Sequence, residues 1–354
     1  MIIVIDDIYF DNFDNVDTTT DNLVNNKLYP YQIAIIMVIA NGSEQNYEQA
    51  IETVKCYSWH YNYTFVIIRQ ENVIEFMYNC YHFDFMFLRH CIIANYAEKY
   101  KNEIKYVVFI DSDIGVVSPI DKLEYYLPKD EENILFYDRI YNNEITAGSY
   151  ILKNTLFSRS FLKFFADYEF KIPENNTYRD NVALQAVFVD FIGTVQHRKK
   201  YLQCMKIYDY AVGYAQNMLF VSCMRYILSL IDETPNNIDY HTYEGGKIKI
   251  LKKLSKKRWA RDGWLTEWTF CDDELFHHSW KQEEIKKRRT VFKKRFLSDG
   301  KICRSSEFLK LWDYDNSFRR DCKTINDTVK LHVDFGYNQY IKELNESNIT
   351  KIED

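Results

Sequence analysis

Short apolar runs alternate with amphipathic segments between residues 31 and 191. Runs rich in β-branched and aromatic side chains predict strands, and apolar positions at helical spacing predict helices. The predicted strands are 32–40, 64–69, 106–111, 133–137 and 148–152, and the predicted helices are 47–57, 85–100, 156–168 and 180–191. This alternation predicts an α/β fold built from βαβ units, with a largely parallel sheet covered by helices.

The two ends of the chain have a different pattern from its middle. Residues 1–30 are rich in Asp, Asn and Thr and predict a poorly packed lead-in. Residues 199–279 give no clear periodicity. The basic run from Lys286 to Arg295 has a helical pattern, so residues 286–354 are predicted to form a charged, helical C-terminal extension.

Composition limits the possible functions. Of the 354 residues, 47% are hydrophobic and 17% aromatic, which is enough for a large buried core. The formal net charge of -6 disfavours a general nucleic-acid binder, so no nucleic-acid partner is expected. The longest apolar stretch, residues 33–40, is far shorter than the roughly 20 residues that cross a bilayer. We therefore expect no transmembrane segment, and no signal peptide is visible.

Cysteines and glycosylation sequons give a weak indication of the compartment. The eight cysteines form no C-x-x-C pair, and either buried thiols or dispersed disulfides, such as one between Cys303 and Cys322, are compatible with the sequence. Six Asn-X-Ser/Thr sequons suggest a secretory ancestry, and they begin at Asn41, Asn62, Asn175, Asn326, Asn345 and Asn348.

The strongest candidate for chemistry is the segment 106–113, an apolar strand that ends in Asp111-Ser-Asp113. Ligands of parallel α/β sheets bind beyond the carboxyl ends of the strands. Two carboxylates at that position can share a hard divalent cation, and such a cation can bridge the phosphate oxygens of a substrate. The sequence therefore predicts a metal and diphosphate site.

Two alternatives apply to the same residues. Asp-Ser-Asp is also common turn chemistry, in which the carboxylates only cap the next helix. Phosphatases of the haloacid-dehalogenase class also end an apolar strand with a nucleophilic Asp followed two residues later by a second Asp. Gly115 stands where that class usually has Thr or Val, and two predicted strands precede the motif that such a fold does not need. Asp6 and Asp7 are a second, weaker match to it.

Several motifs in a fixed order resemble GT-A glycosyltransferases. They are FLRHCIIAN at 87–95, VVFIDSDIGVVSP at 107–119, FYDR at 136–139, EITAGSYILKNT at 144–155, RDN at 179–181, RDGW at 261–264 and HSWK at 278–281. Residues 31–285 as a whole resemble a family of GT-A-like proteins that is expanded in nematodes and is related to the Golgi galactosyl- and mannosyltransferase type. The resemblance implies one GT-A domain over 31–285, with a central, mostly parallel mixed sheet flanked by helices.

The resemblance also implies a metal site and contacts to the diphosphate. Asp111 and Asp113 correspond to the metal ligands, and His278 corresponds to the late histidine that completes the coordination. A neutral imidazole suits Mn²⁺ better than Mg²⁺. Arg89 and Lys281 correspond to basic residues that contact the nucleotide and the departing diphosphate.

The remaining implied site residues lie on the following strand and helix. The strand that opens with Ala147-Gly148-Ser149 resembles the one that lines the donor-sugar pocket, and Asp138 belongs to the same substrate-binding set. Asp180 and Asn181 correspond to residues near the reacting carbon. Here the sequence departs from the family, because Val182 replaces an expected Gly and Gln185 an expected His.

Together these features predict a metal-dependent glycosyltransferase. It would transfer a hexose from a nucleotide sugar, UDP-linked by expectation, to a glycan or glycoprotein acceptor, with retention of configuration. By resemblance it would act in the Golgi or elsewhere in the secretory pathway. The alternatives are a catalytically inactive GT-A domain that serves as a binding module and, with less support, the phosphatase.

Overall fold

A mixed seven-stranded sheet forms the centre of the molecule. The computed structural model describes residues 27–353 except 175, 194 and 289, so the predicted lead-in lies mostly outside the described residues. Seven strands form the sheet in the order β2-β1-β3-β6-β5-β8-β7. Their bounds are β1 Ile33–Ile39, β2 Thr64–Arg69, β3 Tyr106–Ile110, β5 Ile134–Tyr137, β6 Ser149–Lys153, β7 Tyr240–Tyr243 and β8 Ile248–Leu251.

The pairing within this sheet explains where a site can form. β1 pairs in parallel with β2 and β3, and β5 pairs in parallel with β8. β6 runs antiparallel between β3 and β5, and β7 is antiparallel to β8. The carboxyl end of β3 therefore lies beside the amino end of β6. With helices on both faces, this mixed sheet confirms the predicted fold class.

The helices follow the sequence pattern closely in the first half of the chain. Their bounds are α1 Glu48–Tyr61, α2 Phe85–Lys99, α3 Leu156–Asp167, α4 Asp180–Ile192, α5 Arg198–Asp209, α6 Tyr214–Leu230, α7 Gln282–Arg288, α8 Gly300–Cys303 and α9 Cys322–Ser347. The side chain of Asp84 caps α2 by accepting a hydrogen bond from the backbone N–H of Met86 at 2.8 Å, which fixes where this helix begins. No helix among the described residues is both long and apolar enough to span a bilayer.

A second, three-stranded sheet lies at the carboxyl end of β3. It contains β4 Gly115–Val116, β9 Ala260–Asp262 and β10 Phe276–His278, in the order β4-β10-β9. β10 is antiparallel to β4 and parallel to β9. Because β4 follows β3 after only four residues, this small sheet brings the distant residue His278 back to the end of the central sheet.

The segment after residue 285 contributes to the core and is only partly helical. The predicted basic helix ends at Arg288. Beyond it, Phe292, Phe296 and Trp312 are buried in the same apolar cluster as β1 and α1. Trp259 and Phe292, which interleave the basic runs in the sequence, are both buried and cannot lie on a basic binding surface.

All eight cysteines are paired. The disulfides are Cys56–Cys303, Cys80–Cys91, Cys204–Cys223 and Cys271–Cys322. The suggested pairing of Cys303 with Cys322 is wrong, because α1 carries Cys56 to α8 and the start of α9 lies against Cys271. Disulfide connectivity depends on such three-dimensional contacts and cannot be derived from spacing alone.

Candidate metal centre

Asp111 and Asp113 directly follow the buried strand β3. The backbone N–H of Asp111 donates to the carbonyl of Gly148 at 2.8 Å, which continues the pairing of β3 with β6 past the end of the strand. A tight turn follows, in which the N–H of Ile114 donates to the carbonyl of Asp111 at 2.9 Å. This turn directs both carboxylates to the same edge of the sheet.

His278 lies against these two carboxylates. Its Nε2 is 3.2 Å from Oδ1 of Asp113 and 4.0 Å from Oδ2 of Asp111. One ligand atom from each of the three residues lies within 4.8 Å of the other two. The structure thus brings together the three residues that the sequence nominates as metal ligands, although 165 positions separate His278 from Asp113.

Asp262 orients the imidazole and was missed by the sequence analysis. Its Oδ1 lies 2.8 Å from Nδ1 of His278, so Nδ1–H donates to this carboxylate and Nε2 faces the two aspartates. Burial disfavours a charged imidazole, but the carboxylates of Asp113 and Asp262 outweigh it and raise the pKa of His278 to about 10. The parallel pairing of β9 with β10, which sets His278 beside Asp262, creates this contact.

The electrostatics of the three ligands fit a divalent cation. Burial, together with the nearby carboxylate of Asp113, raises the pKa of Asp111. Burial also acts on Asp113, but His278 and then Lys281 outweigh it and lower its pKa. Two carboxylates and one imidazole with its tautomer fixed form a donor set that suits Mn²⁺ and also accepts Mg²⁺.

Arg89 connects the metal centre with the start of α4. Its side chain is buried, and it donates through Nη1 to Asp111 and through Nη2 to Asp180. Burial opposes the charge on Arg89, but Asp111 and Asp180 outweigh it and raise its pKa further. Arg89 is therefore a permanent cation held at the edge of the candidate site.

Gly148 lies in close contact with Asp111. A Cβ atom on Gly148 would be 2.5 Å from Oδ2 of Asp111, which is closer than such atoms approach one another. Only glycine leaves room for the carboxylate here. Of its neighbours, Ala147 is buried, and Ser149 faces the core, where its hydroxyl donates to the carbonyl of Phe109 at 3.0 Å.

Asp180 and Asn181 are the first two residues of α4. Asp180 is 1% exposed and is paired with Arg89, and its Oδ2 is 3.4 Å from Nε2 of His90. Asn181 is partly exposed, and its side-chain oxygen accepts from the N–H of Ala147 at 2.8 Å. Arg89 therefore links this pair to the metal centre, and Asn181 ties it to the segment that leads into β6.

Lys281 lies at the open side of the centre. Its Nζ is 3.7 Å from Oδ2 of Asp113, and just over half of its side chain is exposed. The preceding residue, Trp280, packs so closely on Gly115 that a Cβ there would lie 2.1 Å from the indole ring. This contact fixes the backbone that carries both His278 and Lys281.

Asp138 does not join the cluster. Its Oδ1 is 2.8 Å from Nη2 of Arg225, and it lines a separate cavity beside α6 and α9. Its neighbour Arg139 faces the metal centre instead, with Nη2 3.2 Å from Oδ1 of Asp262. The FYDR motif therefore contributes its arginine, and not its aspartate, to the surroundings of His278.

Comparisons with known proteins show the family and give a general structural likeness. The solved structures that are similar include a glycosyltransferase involved in glycosylation of the major capsid of PBCV-1, at 15% identity and a TM-score of 0.34, over 42% of this chain and 71% of that chain. They also include the galactosyltransferase LgtC in complex with donor and acceptor sugar analogues, at 10% identity and a TM-score of 0.28, over 83% of this chain and 99% of that chain. No curated protein matches the chain. A family model described as "Protein of unknown function, DUF273" matches residues 54–294. Because this match spans more than half of the chain, the protein belongs to the DUF273 family.

Proposed function

We propose that the protein is a metal-dependent glycosyltransferase that uses a nucleotide sugar, UDP-linked, as its donor. The observation that carries this proposal is the cluster of Asp111, Asp113 and His278 at the carboxyl end of β3, where ligands bind in α/β sheets. Paired acidic residues with an open side suit a diphosphate bound through a cation. The acceptor in this proposal is a hydroxyl of a glycan or glycoprotein.

In the proposed site, Asp111, Asp113 and His278 hold Mn²⁺ or Mg²⁺. When bound, the cation supplies Lewis-acid stabilisation of the negative charge on the diphosphate. Asp262 would keep the Nε2 of His278 directed at the cation by accepting a hydrogen bond from Nδ1–H. The close approach of Gly148 to Asp111 keeps the carboxylate in place.

The residues around the cation bind and orient the substrates in this proposal. Lys281, exposed and beside Asp113, meets the phosphate oxygens of the donor. Arg89 and Asp180 form the wall next to the sugar, and Asn181 presents its partly exposed amide to it. The bond from the anomeric carbon to the diphosphate breaks, and a bond to the acceptor oxygen forms on the same face. The proton of the acceptor hydroxyl leaves with the diphosphate.

Joint binding of UDP and Mn²⁺ tests this proposal. A ligand that binds only the native state raises stability by RT ln(1 + [L]/Kd), so UDP should raise the melting temperature only when Mn²⁺ is present. The variant Asp113→Asn should lose this joint effect and keep its fold. Asp130→Asn, in an exposed turn outside the metal centre, is the matched control. An Asp113→Asn variant that keeps the full effect would show that this aspartate is not a ligand.

One observation favours a second candidate, a catalytically inactive domain that binds a nucleotide sugar. Asp180 is buried, its Oδ2 is paired with Arg89 and His90, and its Oδ1 accepts from the N–H of Asn181 at 2.8 Å, so both carboxylate oxygens are already engaged. Release of the sugar from UDP-glucose or UDP-galactose with Mn²⁺ separates the two candidates. Binding without any turnover, with glycan acceptors present, would favour the inactive module.

The phosphatase gains no support. The sheet contains both β1 and β2 before Asp111, and that class does not need these two strands before its aspartate.

We further propose that the protein matures in the secretory pathway. All eight cysteines are paired, and disulfides persist in oxidising compartments. Five of the six sequon asparagines lie among the described residues and are exposed, and Asn175 lies outside them. Treatment with an endoglycosidase that removes N-linked glycans should reduce the mass of the secreted protein. Cytosolic protein with free thiols and unmodified asparagines would contradict this proposal.

A further inference from the structure

A cavity separate from the metal centre, lined by tyrosines and a few charged side chains, lies between α6, the β7-β8 hairpin and α9. It has a volume of about 230 Å³. Arg225 from α6, Lys253 after β8, and Tyr337 and Tyr340 from α9 contribute to its lining. Asp138 closes its inner side. Neither the metal ligands nor the residues paired with them line this cavity.

Two cations in the lining are incompletely satisfied. Nη2 of Arg225 pairs with Asp138, but its buried Nη1 has no hydrogen-bond partner among the described residues. Nζ of Lys253 has only a long contact, 3.5 Å, to the side-chain oxygen of Asn143. Burial lowers the pKa of Lys253 to about 8, so it is still mostly protonated at neutral pH. Nη1 of Arg225 and Nζ of Lys253 are therefore donors without a close acceptor among the described residues.

The charge balance of the lining is positive. Asp138 offsets one of the two cations. His241 is paired through Nδ1 with Asp232 at 2.6 Å, and because burial lowers the pKa of His241, this pair carries the negative charge of Asp232. The nearby carboxylate of Glu343 is held by hydrogen bonds from Ser222 and Asn143. Carboxylates behind the lining offset this excess, so the feature that favours an acceptor is the buried Nη1 of Arg225, which has no hydrogen-bond partner among the described residues.

The tyrosines in the lining and the volume of the cavity limit which ligands can fit. Tyr243, Tyr337 and Tyr340 supply flat apolar faces and hydroxyl groups, and Tyr337 lies exposed at the mouth. Drug-sized ligands occupy pockets of about 300–1,000 Å³, so this cavity suits a smaller molecule. A single sugar ring has the right size, and its hydroxyls match the tyrosine hydroxyls.

We propose that this cavity binds an acidic monosaccharide unit of the hexuronate class, with its carboxylate on Arg225 and Lys253 and its ring against the tyrosines. The guanidinium fork and the ammonium group satisfy the carboxylate, and the carboxylate in turn satisfies Nη1 of Arg225. The anion site stands on the cavity alone, whereas the choice of a sugar over another small carboxylate rests on the proposed function.

Isothermal titration with glucuronate, glucose and acetate tests the proposal. Glucuronate should bind with a saturable isotherm, and glucose and acetate should bind at least tenfold more weakly. Lys253→Gln should weaken glucuronate binding about tenfold or more, which is the loss expected for one charge-assisted hydrogen bond. Tyr337→Ala, at the exposed mouth, is a second variant that leaves the fold intact and should weaken binding severalfold.

The outcomes are distinguishable from those of the proposed function. Asp113→Asn should bind glucuronate as the wild type does, although it loses the joint effect of UDP and Mn²⁺. Absence of saturable binding, or equal binding by Lys253→Gln, overturns the anion site. The acidic-sugar assignment is overturned if acetate or glucose binds as tightly as glucuronate. A protein that binds glucuronate and fails to bind UDP with Mn²⁺ overturns the proposed function alone.

Discussion

The Cα of Gly148 lies so close to the carboxylate of Asp111 that a Cβ atom would be 2.5 Å from Oδ2. The same glycine accepts, through its carbonyl, the hydrogen bond from the backbone N–H of Asp111. The residue directly before β6 therefore sets both the backbone and the side-chain position of Asp111, the first candidate metal ligand.

Gly148→Ala should weaken Mn²⁺ binding by at least about tenfold, because small misplacements of a ligand are costly in a site built for one geometry. The added methyl group must push the carboxylate of Asp111 away from His278 and Asp113. Titration of Mn²⁺ followed by paramagnetic relaxation of water measures the change.

The matched control for this variant is Gly300→Ala. Gly300 is the first residue of α8, and an added Cβ there meets the flexible end of Arg304 at 3.1 Å and the ring of Trp59 at an ordinary contact distance of 3.6 Å. Its Mn²⁺ affinity should equal that of the wild type. If Gly148→Ala also kept wild-type affinity, Asp111 would not be a metal ligand.

Asp262→Asn should weaken Mn²⁺ binding by about 10- to 100-fold, the usual loss when the group that orients a ligating histidine is changed. The amide keeps the shape of the side chain, but its weaker acceptor no longer raises the basicity of His278. It also loses the charge that pairs with Arg139.

Asp232→Asn is the control, because Asp232 accepts from Nδ1 of His241 in the same way but outside the metal centre. Equal losses in the two variants would mean that the effect arises from general destabilisation. Circular dichroism at the temperature of the titration confirms that both variants are folded.

Mn²⁺ affinity should rise with pH through the neutral range. The pKa of His278 is about 10 in the free protein, because Asp113 and Asp262 outweigh the effect of burial. A metal binds the neutral imidazole, so each ion that binds below that pH releases one proton. The apparent affinity should increase about tenfold per pH unit between pH 6 and 8.

Calorimetric titrations in two buffers with different ionisation enthalpies count this proton directly. The expected count is one per Mn²⁺ at pH 7. A count of zero, with an affinity independent of pH, would show that His278 is not the third ligand.

The sequence predicts the first half of this fold well because its elements carry strong local signals. β3 is a purely apolar run that ends in charges, and α2 has an aspartate N-cap, so each boundary is marked by chemistry. The three candidate metal ligands follow from the same signals together with the resemblance, which places a late histidine beside the aspartates.

The secondary structure of residues 199–279 could not be predicted from the sequence, and the reason is physical. α6 is buried on most sides, with Phe220, Val221 and Met224 all inside the core, so it lacks the amphipathic period that identifies a surface helix. β9 and β10 have three residues each, too few for an alternating pattern.

Two site features depend on contacts that only the folded chain makes. Asp262 reaches His278 through the pairing of β9 with β10, and no local pattern marks that pairing. Asp138 and Arg139 are adjacent in one motif and directly follow β5, but they contact different surroundings, since successive side chains of extended backbone point to opposite faces. The strand direction could have suggested that only one of them faces the metal.

His90 should make the protein less stable as the solution becomes mildly acidic. Burial lowers its pKa from 6.5 to about 4, so the folded state holds a neutral imidazole where the unfolded state is protonated. The unfolded state therefore binds more protons between these two pH values. The contribution is fully present above pH 6.5 and is lost as the pH falls towards 4, with a total of about 3 kcal/mol at most.

The variant His90→Gln isolates this contribution, because it removes the titrating group and leaves polar atoms that can reach Tyr150 and Asp180, the present partners of the imidazole. Urea unfolding at pH 7, 6 and 5 gives the free energy of unfolding of each protein. The wild type should lose stability more steeply than the variant, and the difference in slope should approach one proton at pH 5. His277, whose pKa burial also lowers to about 4, acts equally in both proteins and cancels from the difference. Parallel pH profiles for the two proteins would show that His90 is protonated in the folded state, and its contact with Asp180 would then be a charged pair.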